Sequence, residues 1–315
     1  MQRYNHLAFV FPGQGSQSVG MLADLAESYP EVRRVFSRAS EVLRVDLWKM
    51  LSEGPEDLLN RTENTQPIML TAGVAIWEIW CSQTPIRPGW MAGHSLGEFT
   101  ALVCANSISF EAAVGLVGRR AVLMQEAVPE GAGAMAAVIG LEDPAVVEIC
   151  RKISGPKGIV APANFNAPSQ VVIAGNAAAV DAAIDAAKTA GARRALMLSL
   201  SVPSHCNLMQ PAALKFSESI SAIDFEDPDV PVIHNFDVAS HSASEVIRSV
   251  LVKQMYSPVR WVDSMKFLYD QGVTKIIECG PGKVLSGLIK RIVRECETYP
   301  VFDPVTLDKA MENCE

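Results

Sequence analysis

The chain has 315 residues, of which 49% are hydrophobic and 20% charged, a balance typical of a protein that folds in water around a large core. Its formal net charge is −8 at pH 7. A surface that binds nucleic acid needs an excess of basic residues, so the charge argues against nucleic acid as the main partner.

The cysteines and the N-terminus bear on the compartment. Seven cysteines form no Cys-x-x-Cys pair and their number is odd, which indicates reduced thiols rather than a disulfide framework or a zinc site. Residues 1–11 lead directly into a strand-like stretch, without the segments of a signal peptide. The apolar run around Trp77 is interrupted by Glu78, so no membrane span is expected. We therefore expect a cytoplasmic protein.

The first 125 residues alternate short apolar runs with longer periodic segments, as in an α/β domain. The pattern predicts strands at 6–11 and 90–94, and helices at 21–44 (interrupted at Pro30), 66–81, 96–105 and 110–127. The strand at 6–11 is apolar after His6 and is interpreted as a buried strand that ends at Pro12-Gly13.

A different pattern of apolar and polar residues begins near residue 129. It predicts strands at 134–140, 158–165, 170–174 and 193–200, with helices at 143–153 and 177–190 and a turn at 166–168. This βαββαβ order is that of a ferredoxin-like unit. The pattern of the first 125 residues resumes afterwards, and it predicts strands at 231–235 and 275–278 and helices at 264–271 and 284–294. We therefore predict an insert at 128–200 within a core of 1–127 and 201–315, whose last twenty residues show little pattern.

Ser95 is the first candidate for chemistry. Gly93-His94-Ser95-Leu96-Gly97 matches G-x-S-x-G between an apolar strand and a helix, which is the setting of a nucleophile elbow. The hydroxyl would lie at the positive end of the helix that follows, where backbone N–H groups stabilise an oxyanion. The alternative is a glycine-rich turn with a capping serine, and the placement favours the nucleophile.

The segment 11–17, Phe-Pro-Gly-Gln-Gly-Ser-Gln, also follows a predicted strand. It is not a dinucleotide fingerprint, because the third glycine of G-x-G-x-x-G would fall on Ser18. Either its amides face a site beside Ser95 or it is an ordinary turn, and this segment alone favours the turn.

A serine nucleophile needs an imidazole to accept its proton. His94 adjoins Ser95 and is expected to point away from it, whereas His6 begins a strand and His241 lies in a polar loop. His234 follows an apolar strand and is compatible with a core position. His205 lies where the insert rejoins the core, and domain junctions favour active sites, so His205 is the preferred base.

Arg119 and Arg120 lie inside the predicted helix 110–127. Neighbours on a helix are about 100° apart, so both cannot face solvent squarely. We expect Arg119 to reach solvent, and Arg120 could point inward and bind a carboxylate through two parallel hydrogen bonds. The segment 279–283, Cys-Gly-Pro-Gly-Lys, lacks the residues of a phosphate loop and is interpreted as a turn into a helix.

Taken together, the motifs resemble those of the bacterial malonyl-coenzyme A:acyl carrier protein transacylases of fatty-acid synthesis. They are FPGQGSQ at 11–17, GHSLGE at 93–98, MQEAVPEG at 124–131, NFNAPSQVVIAG at 164–175, VPSHC at 202–206 and ECGPGKVLSGL at 278–288. They occur in the family's order and cover roughly residues 7–292. The resemblance implies an α/β-hydrolase-like core with a parallel sheet and an inserted ferredoxin-like subdomain.

The resemblance also implies roles for individual residues. Ser95 would be the nucleophile and His205 the base, and the backbone N–H groups of Gln14 and Leu96 would form the oxyanion hole. Arg120 matches the arginine that binds the malonyl carboxylate. Two further matches complete the set: the backbone carbonyl at Gln254 would orient the histidine, which makes the site a dyad, and Gln66 and Asn166 would lie near the acyl pocket.

The implied reaction is a ping-pong transfer of malonyl from malonyl-coenzyme A to the phosphopantetheine thiol of acyl carrier protein. It implies no metal or redox cofactor and no membrane, and we expect a monomer. The alternatives are a trans-acting acyltransferase of a polyketide pathway, a serine thioesterase or hydrolase, and a non-catalytic carrier-binding protein. Val202-Pro203-Ser204-His205 resembles the stand-alone fatty-acid version rather than the polyketide domains.

Overall fold

The computed structural model describes residues 3–156, 158–198 and 202–314. In chain order, its strands are β1 (Arg3–Phe11), β2 (Arg87–Gly93), β3 (Gly133–Ile139), β4 (Val160–Ala167), β5 (Gln170–Asn176), β6 (Arg194–Met197), β7 (Val232–Ile233), β8 (Lys275–Cys279) and β9 (Glu297–Val301). Its helices are α1 (Ala23–Ser28), α2 (Pro30–Leu43), α3 (Leu47–Glu53), α4 (Glu56–Leu59), α5 (Thr62–Gln83), α6 (Gly97–Cys104), α7 (Phe110–Ala127), α8 (Asp143–Ile153), α9 (Ala177–Thr189), α10 (Gln210–Ser221), α11 (Ser244–Gln254), α12 (Trp261–Asp270), α13 (Val284–Ile292) and α14 (Pro304–Glu312).

The larger sheet is parallel and has the strand order β7-β2-β1-β8-β9. β1 lies at its centre, and the apolar run at its end is buried, as expected for a strand covered on both faces. Phe11 pairs with Gly93, so β1 and β2 end at the same level. The loops that follow these two strands therefore meet at one edge of the sheet, which is where ligands bind in open α/β sheets.

The helix α5 explains how one face of this sheet is covered. It is mostly apolar, and every residue from Thr65 to Ile76 is buried. Such a helix must lie inside a protein. It packs between α2, α6 and α7, and Trp80 meets Phe9 of β1 edge to face.

The smaller sheet is antiparallel and has the order β4-β5-β3-β6. With α8 and α9 it follows the predicted βαββαβ order. Alternate residues of a strand face opposite sides of a sheet, and the two sides here differ. Val138 and Ile173 pack with the two helices, whereas Met135 and Val172 face the other way. That second face is directed to the carboxyl edge of the parallel sheet, because the backbone of β4 pairs with Val259 just before α12.

Several expectations need correction. The last twenty residues are not patternless, since they form β9, which extends the parallel sheet, and α14. The second strand of the insert runs through Ala167, so the turn lies at Pro168–Ser169 and not at 166–168. The strand expected at 231–235 is only β7, because Asn235 leaves the sheet to bind other groups.

Other expectations lie partly outside the described residues. The predicted strand at 193–200 corresponds to β6, and its residues 199 and 200 are not described. The proposed boundary between 200 and 201 falls in the same gap, so the division into core and insert stays a prediction. Across the described ranges, no helix combines the length and the apolarity that crossing a membrane requires.

Candidate active site

Ser95 sits on a sharp turn between β2 and α6, with a backbone φ of 53°. Two close approaches explain the glycines around it. A Cβ at Gly93 would lie 1.9 Å from the carbonyl carbon of Gly97, and a Cβ at Gly97 would lie 2.0 Å from the carbonyl oxygen of Phe11. No side chain fits either position, so the predicted nucleophile elbow has its glycines for packing as well as for the turn.

Asn235 holds this turn from the segment that follows the neighbouring strand β7. Its Oδ1 accepts a hydrogen bond of 2.7 Å from the backbone N of Ser95, and its Nδ2 donates one of 2.7 Å to the carbonyl of Gly93. Sequence reasoning did not single out this residue. Its position directly after a strand of the parallel sheet was the available signal.

The hydroxyl of Ser95 meets the imidazole of His205. Their Oγ and Nε2 atoms are 2.6 Å apart, and His205 Nδ1 lies 2.8 Å from the carbonyl oxygen of Gln254. A carbonyl only accepts, so Nδ1 carries the proton and Nε2 accepts from the serine. This is the protonation state that a general base needs.

Gln254 is the last residue of α11, where carbonyls have no partner within the helix. The C-terminus of a helix carries a partial negative charge, which favours an imidazolium beside it. The helix end thus takes the place that a carboxylate occupies in a Ser-His-Asp triad.

Burial strongly affects His205, whose side chain is only 3% exposed. Loss of solvation, followed by the positive charge of Arg120, lowers the pKa of His205 to about 3, against the opposing hydrogen bond to Gln254. The imidazole is therefore neutral at physiological pH and ready to accept a proton.

The remaining histidines have other partners. His94 does not point away from the site as expected: it lines the same cavity as Ser95, and its Nε2 lies 2.7 Å from Oδ1 of Asn166. His234 is fully buried and binds Glu98, whereas His241 binds Asp237. His6 lies on β1. Of the five, only His205 contacts the serine hydroxyl.

Two backbone amides beside Ser95 form no hydrogen bond within the described residues, those of Gln14 and Leu96. The amide of Ser95 itself is already taken by Asn235. Leu96 precedes α6, so its N–H belongs to a helix N-terminus. The loop of Gln14 is held by a 2.8 Å bond from Thr62 Oγ1 to its side-chain Oε1. Both residues line the cavity into which the serine opens.

Arg120 is buried with only 1% exposure, whereas Arg119 is exposed, as the helical spacing predicts. The two terminal nitrogens of Arg120 donate to Gln66 Oε1 at 2.7 Å and to Gln254 Oε1 at 3.0 Å. Its Nε has no partner in the described part of the chain. Burial lowers the pKa of Arg120 to about 10, and the charge of Glu98 opposes that change, so the side chain is a cation at pH 7.

These groups surround one cavity of about 310 Å³ between the two sheets. Its polar wall contains Gln14, Gln66, His94, Ser95, Arg120, Asn164, Asn166 and His205. Its apolar wall contains Met124, Met135, Val172, Leu198 and Val202. A serine hydroxyl, a neutral imidazole, two residues with unpaired backbone amides and a buried cation thus share a small space, which suits a short acyl group that carries a negative charge.

The segment 279–283 is not arranged as a phosphate loop. The carboxylate of Glu278 accepts hydrogen bonds from the backbone N atoms of Leu285 and Ser286, so a protein group already occupies the N-terminus of α13. As predicted, the segment is a turn into a helix. Within the described residues, no group of three or more His, Cys, Asp or Glu is arranged to hold a metal ion.

Comparison of the sequence with known proteins gives the same picture. Residues 8–309 match the acyl transferase domain family. The malonyl CoA-acyl carrier protein transacylase of Salmonella typhimurium is 51% identical over 304 residues, which are 96% of this chain and 98% of that protein. The corresponding protein of Bacillus subtilis is 44% identical over 306 residues, 97% of this chain and 96% of that one.

Solved structures agree with the sequence comparison. The malonyl-CoA:acyl carrier protein transacylase of Xanthomonas oryzae is similar with a TM-score of 0.97 and 49% identity, over 99% of both chains. A malonyl-transacylase in complex with its type II PKS acyl-carrier protein is similar with a TM-score of 0.96 and 51% identity, over 98% of this chain and 99% of that one.

Proposed function

The chain belongs to the acyl transferase domain family, and we propose that it transfers malonyl from malonyl-coenzyme A to the phosphopantetheine thiol of an acyl carrier protein in fatty-acid synthesis. The observation that carries this proposal is the shared cavity. The Ser95–His205 pair, joined at 2.6 Å, opens into the same space as the buried Arg120. The first can form an acyl ester, and the second suits an acyl group with a free carboxylate.

The first half of the reaction forms an ester on Ser95. His205 Nε2 takes the hydroxyl proton as Oγ attacks the thioester carbonyl. The carbonyl π electrons move onto its oxygen, and the backbone N–H groups of Gln14 and Leu96 stabilise the resulting oxyanion. As the tetrahedral intermediate collapses, the carbon–sulfur bond breaks and His205 returns the proton to the departing coenzyme A thiolate.

The second half reverses these steps with a different thiol. His205 accepts the proton of the phosphopantetheine thiol, and the thiolate sulfur attacks the malonyl ester. The serine oxygen then leaves and regains the proton from His205. No step requires a metal or a redox cofactor, and the absence of a cofactor stays a prediction.

Arg120 accounts for the choice of acyl group. A carboxylate that enters the cavity loses its water, and only a cation that hydrogen-bonds to it offsets that loss. Gln66 and Gln254 occupy one donor of each terminal nitrogen, which leaves further N–H groups of the guanidinium for the malonate. Asn166 lines the same cavity and is hydrogen-bonded to His94.

A second candidate differs only in the carrier. Delivery of malonyl to a type II polyketide carrier is favoured by the similarity to the malonyl-transacylase solved with its type II PKS acyl-carrier protein. Measured kcat/KM for a fatty-acid carrier against a polyketide carrier distinguishes the two.

A serine hydrolase fits the site less well. The histidine is oriented by the Gln254 carbonyl and the end of a helix rather than by a carboxylate, and the cavity contains a buried arginine. An α/β-hydrolase-like fold of the core, a cytoplasmic location and a monomeric state remain parts of the proposal. The seven free cysteines favour a reducing compartment.

The deciding experiment is intact-mass spectrometry after mixing the protein with malonyl-coenzyme A. We expect one added malonyl group, on Ser95, which disappears when phosphopantetheinylated carrier protein is added and appears on the carrier. Release of free malonate without acceptor would identify a hydrolase, and no added mass would indicate a carrier-binding protein.

A further inference from the structure

Glu98 is a fully buried carboxylate that the proposed mechanism does not use. It lies in the first turn of α6, three residues after the nucleophile, and its side chain has no exposure to solvent. An unpaired carboxylate would be costly there. Its oxygens accept from His234 Nδ1 at 2.7 Å, from the backbone N of Asn235 at 2.9 Å and from Gln254 Nε2 at 2.9 Å.

The bond to Gln254 fixes the orientation of an amide. Gln254 Nε2 donates to Glu98 and, at 3.0 Å, to the carbonyl of Ser95, which are both acceptors only. The amide oxygen must therefore face the other way, where it accepts from Arg120 at 3.0 Å. A flipped amide would bring an NH₂ group against the guanidinium and an oxygen against the carboxylate.

Arg120 consequently reaches Glu98 only through this amide. Within the described residues, Arg120 makes no direct ion pair, although a carboxylate lies one side chain away. We propose that Glu98 is a positioning residue that acts through the Gln254 amide as the indirect counter-ion of Arg120, and so holds the guanidinium ready for the malonyl carboxylate. This inference rests on the proposed function.

The intervening amide matters for substrate binding. A carboxylate in direct contact with Arg120 would occupy the donors that malonate needs, and the substrate would first have to displace it. A neutral acceptor leaves those donors free. The distant negative charge still supports the cation, in agreement with its opposing effect on the lowered pKa of Arg120.

The same amide connects Glu98 to the nucleophile. Gln254 Nε2 binds the carbonyl of Ser95, and the Gln254 backbone carbonyl binds His205. Movement of Gln254 would therefore disturb both the acyl site and the dyad. The disturbance of Arg120 affects only a substrate with a carboxylate, whereas disturbance of the dyad affects every thioester.

The test is Glu98→Gln, which keeps the shape of the side chain but removes its charge. It also places an NH₂ group against the three donors that surround Glu98. We expect kcat/KM for malonyl-coenzyme A to fall roughly 10- to 100-fold, the range for loss of a hydrogen bond to a charged group. The larger part should appear in KM, since Arg120 contacts the carboxylate throughout the reaction. The kcat/KM for acetyl-coenzyme A should fall less, so the ratio of kcat/KM for malonyl-coenzyme A to kcat/KM for acetyl-coenzyme A (the malonyl-to-acetyl ratio) should fall.

Glu278→Gln is the matched control. Glu278 is also fully buried and accepts from two backbone amides, but these lie at the start of α13, and within the described residues no hydrogen bond joins Glu278 to Gln254. We expect a lower melting temperature and an unchanged malonyl-to-acetyl ratio. If Glu98→Gln behaves like this control, with an unchanged ratio, Glu98 is only structural and the inference is wrong.

Two further variants keep the inference open to refutation. Glu98→Asp retains the charge but shortens the side chain by one methylene, which moves the carboxylate away from the Gln254 amide. It tests the malonyl-to-acetyl ratio if Glu98→Gln does not fold. An unchanged ratio in Glu98→Asp overturns the proposal. The exchange Glu98→Gln with Gln254→Glu preserves the number of carboxylates but sets one directly against Arg120. We expect the ratio to stay low, and full recovery would contradict the need for an intervening amide.

Failure of the inference is separable from failure of the proposed function. The wild-type protein is first tested for malonylation of Ser95 by intact mass. If the wild type takes no malonyl group, the proposed function fails. If it is malonylated and both Glu98 variants retain wild-type selectivity, only the role of Glu98 is rejected.

Discussion

His205 Nδ1 lies 2.8 Å from the backbone carbonyl of Gln254, the last residue of α11. A carbonyl oxygen orients the ring and fixes its tautomer as a carboxylate would, but it brings no full negative charge to hold a proton on the imidazole. With burial and a nearby arginine, this gives a base with a low pKa, and the pH behaviour below follows from it.

Ser95→Ala should abolish the malonyl adduct without unfolding the protein. Alanine has the same Cβ as serine, so the strained turn at φ 53° is no worse, and the half-exposed hydroxyl contributes little to stability. Intact mass after incubation with malonyl-coenzyme A and the melting temperature are the measurements. An adduct that persists in this variant would mean that another residue is the nucleophile.

His205→Ala should slow acylation by roughly 10²- to 10⁴-fold, the usual contribution of a positioned general base. Rapid-quench measurement of ester formation reports this step directly. His241→Ala is the control, because His241 binds Asp237 and lies outside the cavity lining. A larger loss in the control than in His205→Ala would show that the base is misassigned.

The pH dependence follows from the lowered pKa of His205, which is about 3 in the folded protein and 6.5 in an unfolded chain. Because the reaction requires the neutral imidazole, protonation of His205 should leave kcat/KM nearly unchanged between pH 5 and 7. The unfolded state binds the extra proton first, so the stability that His205 contributes is present above about pH 6.5 and declines as pH falls towards 3.

A pH–rate profile with an acid limb near pH 6.5 would contradict this behaviour. The variant Arg120→Met offers a second check, since the charge of Arg120 is the second cause of the lowered pKa of His205. Removal of that charge should raise the pKa and shift the acid limb of acetyl transfer to higher pH.

Most strands and the turn that carries Ser95 were predictable because their signals are local. An apolar run followed by glycine and proline predicts β1, and G-x-S-x-G between a strand and a helix predicts the elbow at Ser95. The position of Arg120 followed from helical spacing. β9 and α14 were missed because β9 gains its stability from pairing with β8, a contact invisible in a short window of sequence.

Long-range hydrogen bonds account for most of what the sequence could not show. Asn235 and Glu98 are separated by 137 residues, and Glu98 and Gln254 by 156. His94 was expected to point away from Ser95 by strand alternation, but β2 ends at Gly93, so alternation no longer applies. The roles of Gln14, Gln66 and Asn166 came from resemblance alone and stay predictions.

An acidic carrier protein would need a basic surface near the cavity. Lys290 and Arg291 are exposed on α13, and Lys283 is exposed just before it. Arg291 donates to the side chain of Gln170 in β5 and to the carbonyl of Pro168 in the turn before that strand. Arg294 was expected on the same helix, but α13 ends at Ile292, so it lies beyond the helix. A solvated face is the alternative to a docking surface.

The charge reversals Lys283→Glu and Lys290→Glu should raise the carrier KM at low salt and leave the coenzyme A half-reaction unchanged. Arg151→Glu is the control, because Arg151 is exposed on α8 and pairs only with Glu148 among the described residues. A carrier KM that does not change, or that changes as much in the control, would remove this surface as the docking site.

Arg120 provides the sharpest test of the acyl group. Truncation of one partner of a buried charge pair costs about 2–5 kcal/mol, which is roughly 30- to several-thousand-fold in kcat/KM. Arg120→Ala should therefore lower malonyl transfer by this amount. Acetyl-coenzyme A has no carboxylate that the variant would leave unpaired. In the wild type, a bound acetyl group leaves the buried cation of Arg120 without a partner. The kcat/KM for acetyl-coenzyme A should therefore stay the same or rise in Arg120→Ala.

Arg119→Ala is the matched control, since it removes the same side chain from the exposed face of α7. Both variants and the wild type are compared by kcat/KM for malonyl- and acetyl-coenzyme A at one pH above 6.5, where His205 is neutral throughout. Selectivity lost in Arg120→Ala and kept in Arg119→Ala would locate the carboxylate site at Arg120. If both thioesters fell equally in Arg120→Ala, the arginine would only support Gln66 and Gln254, and the selection of malonyl would require another cation.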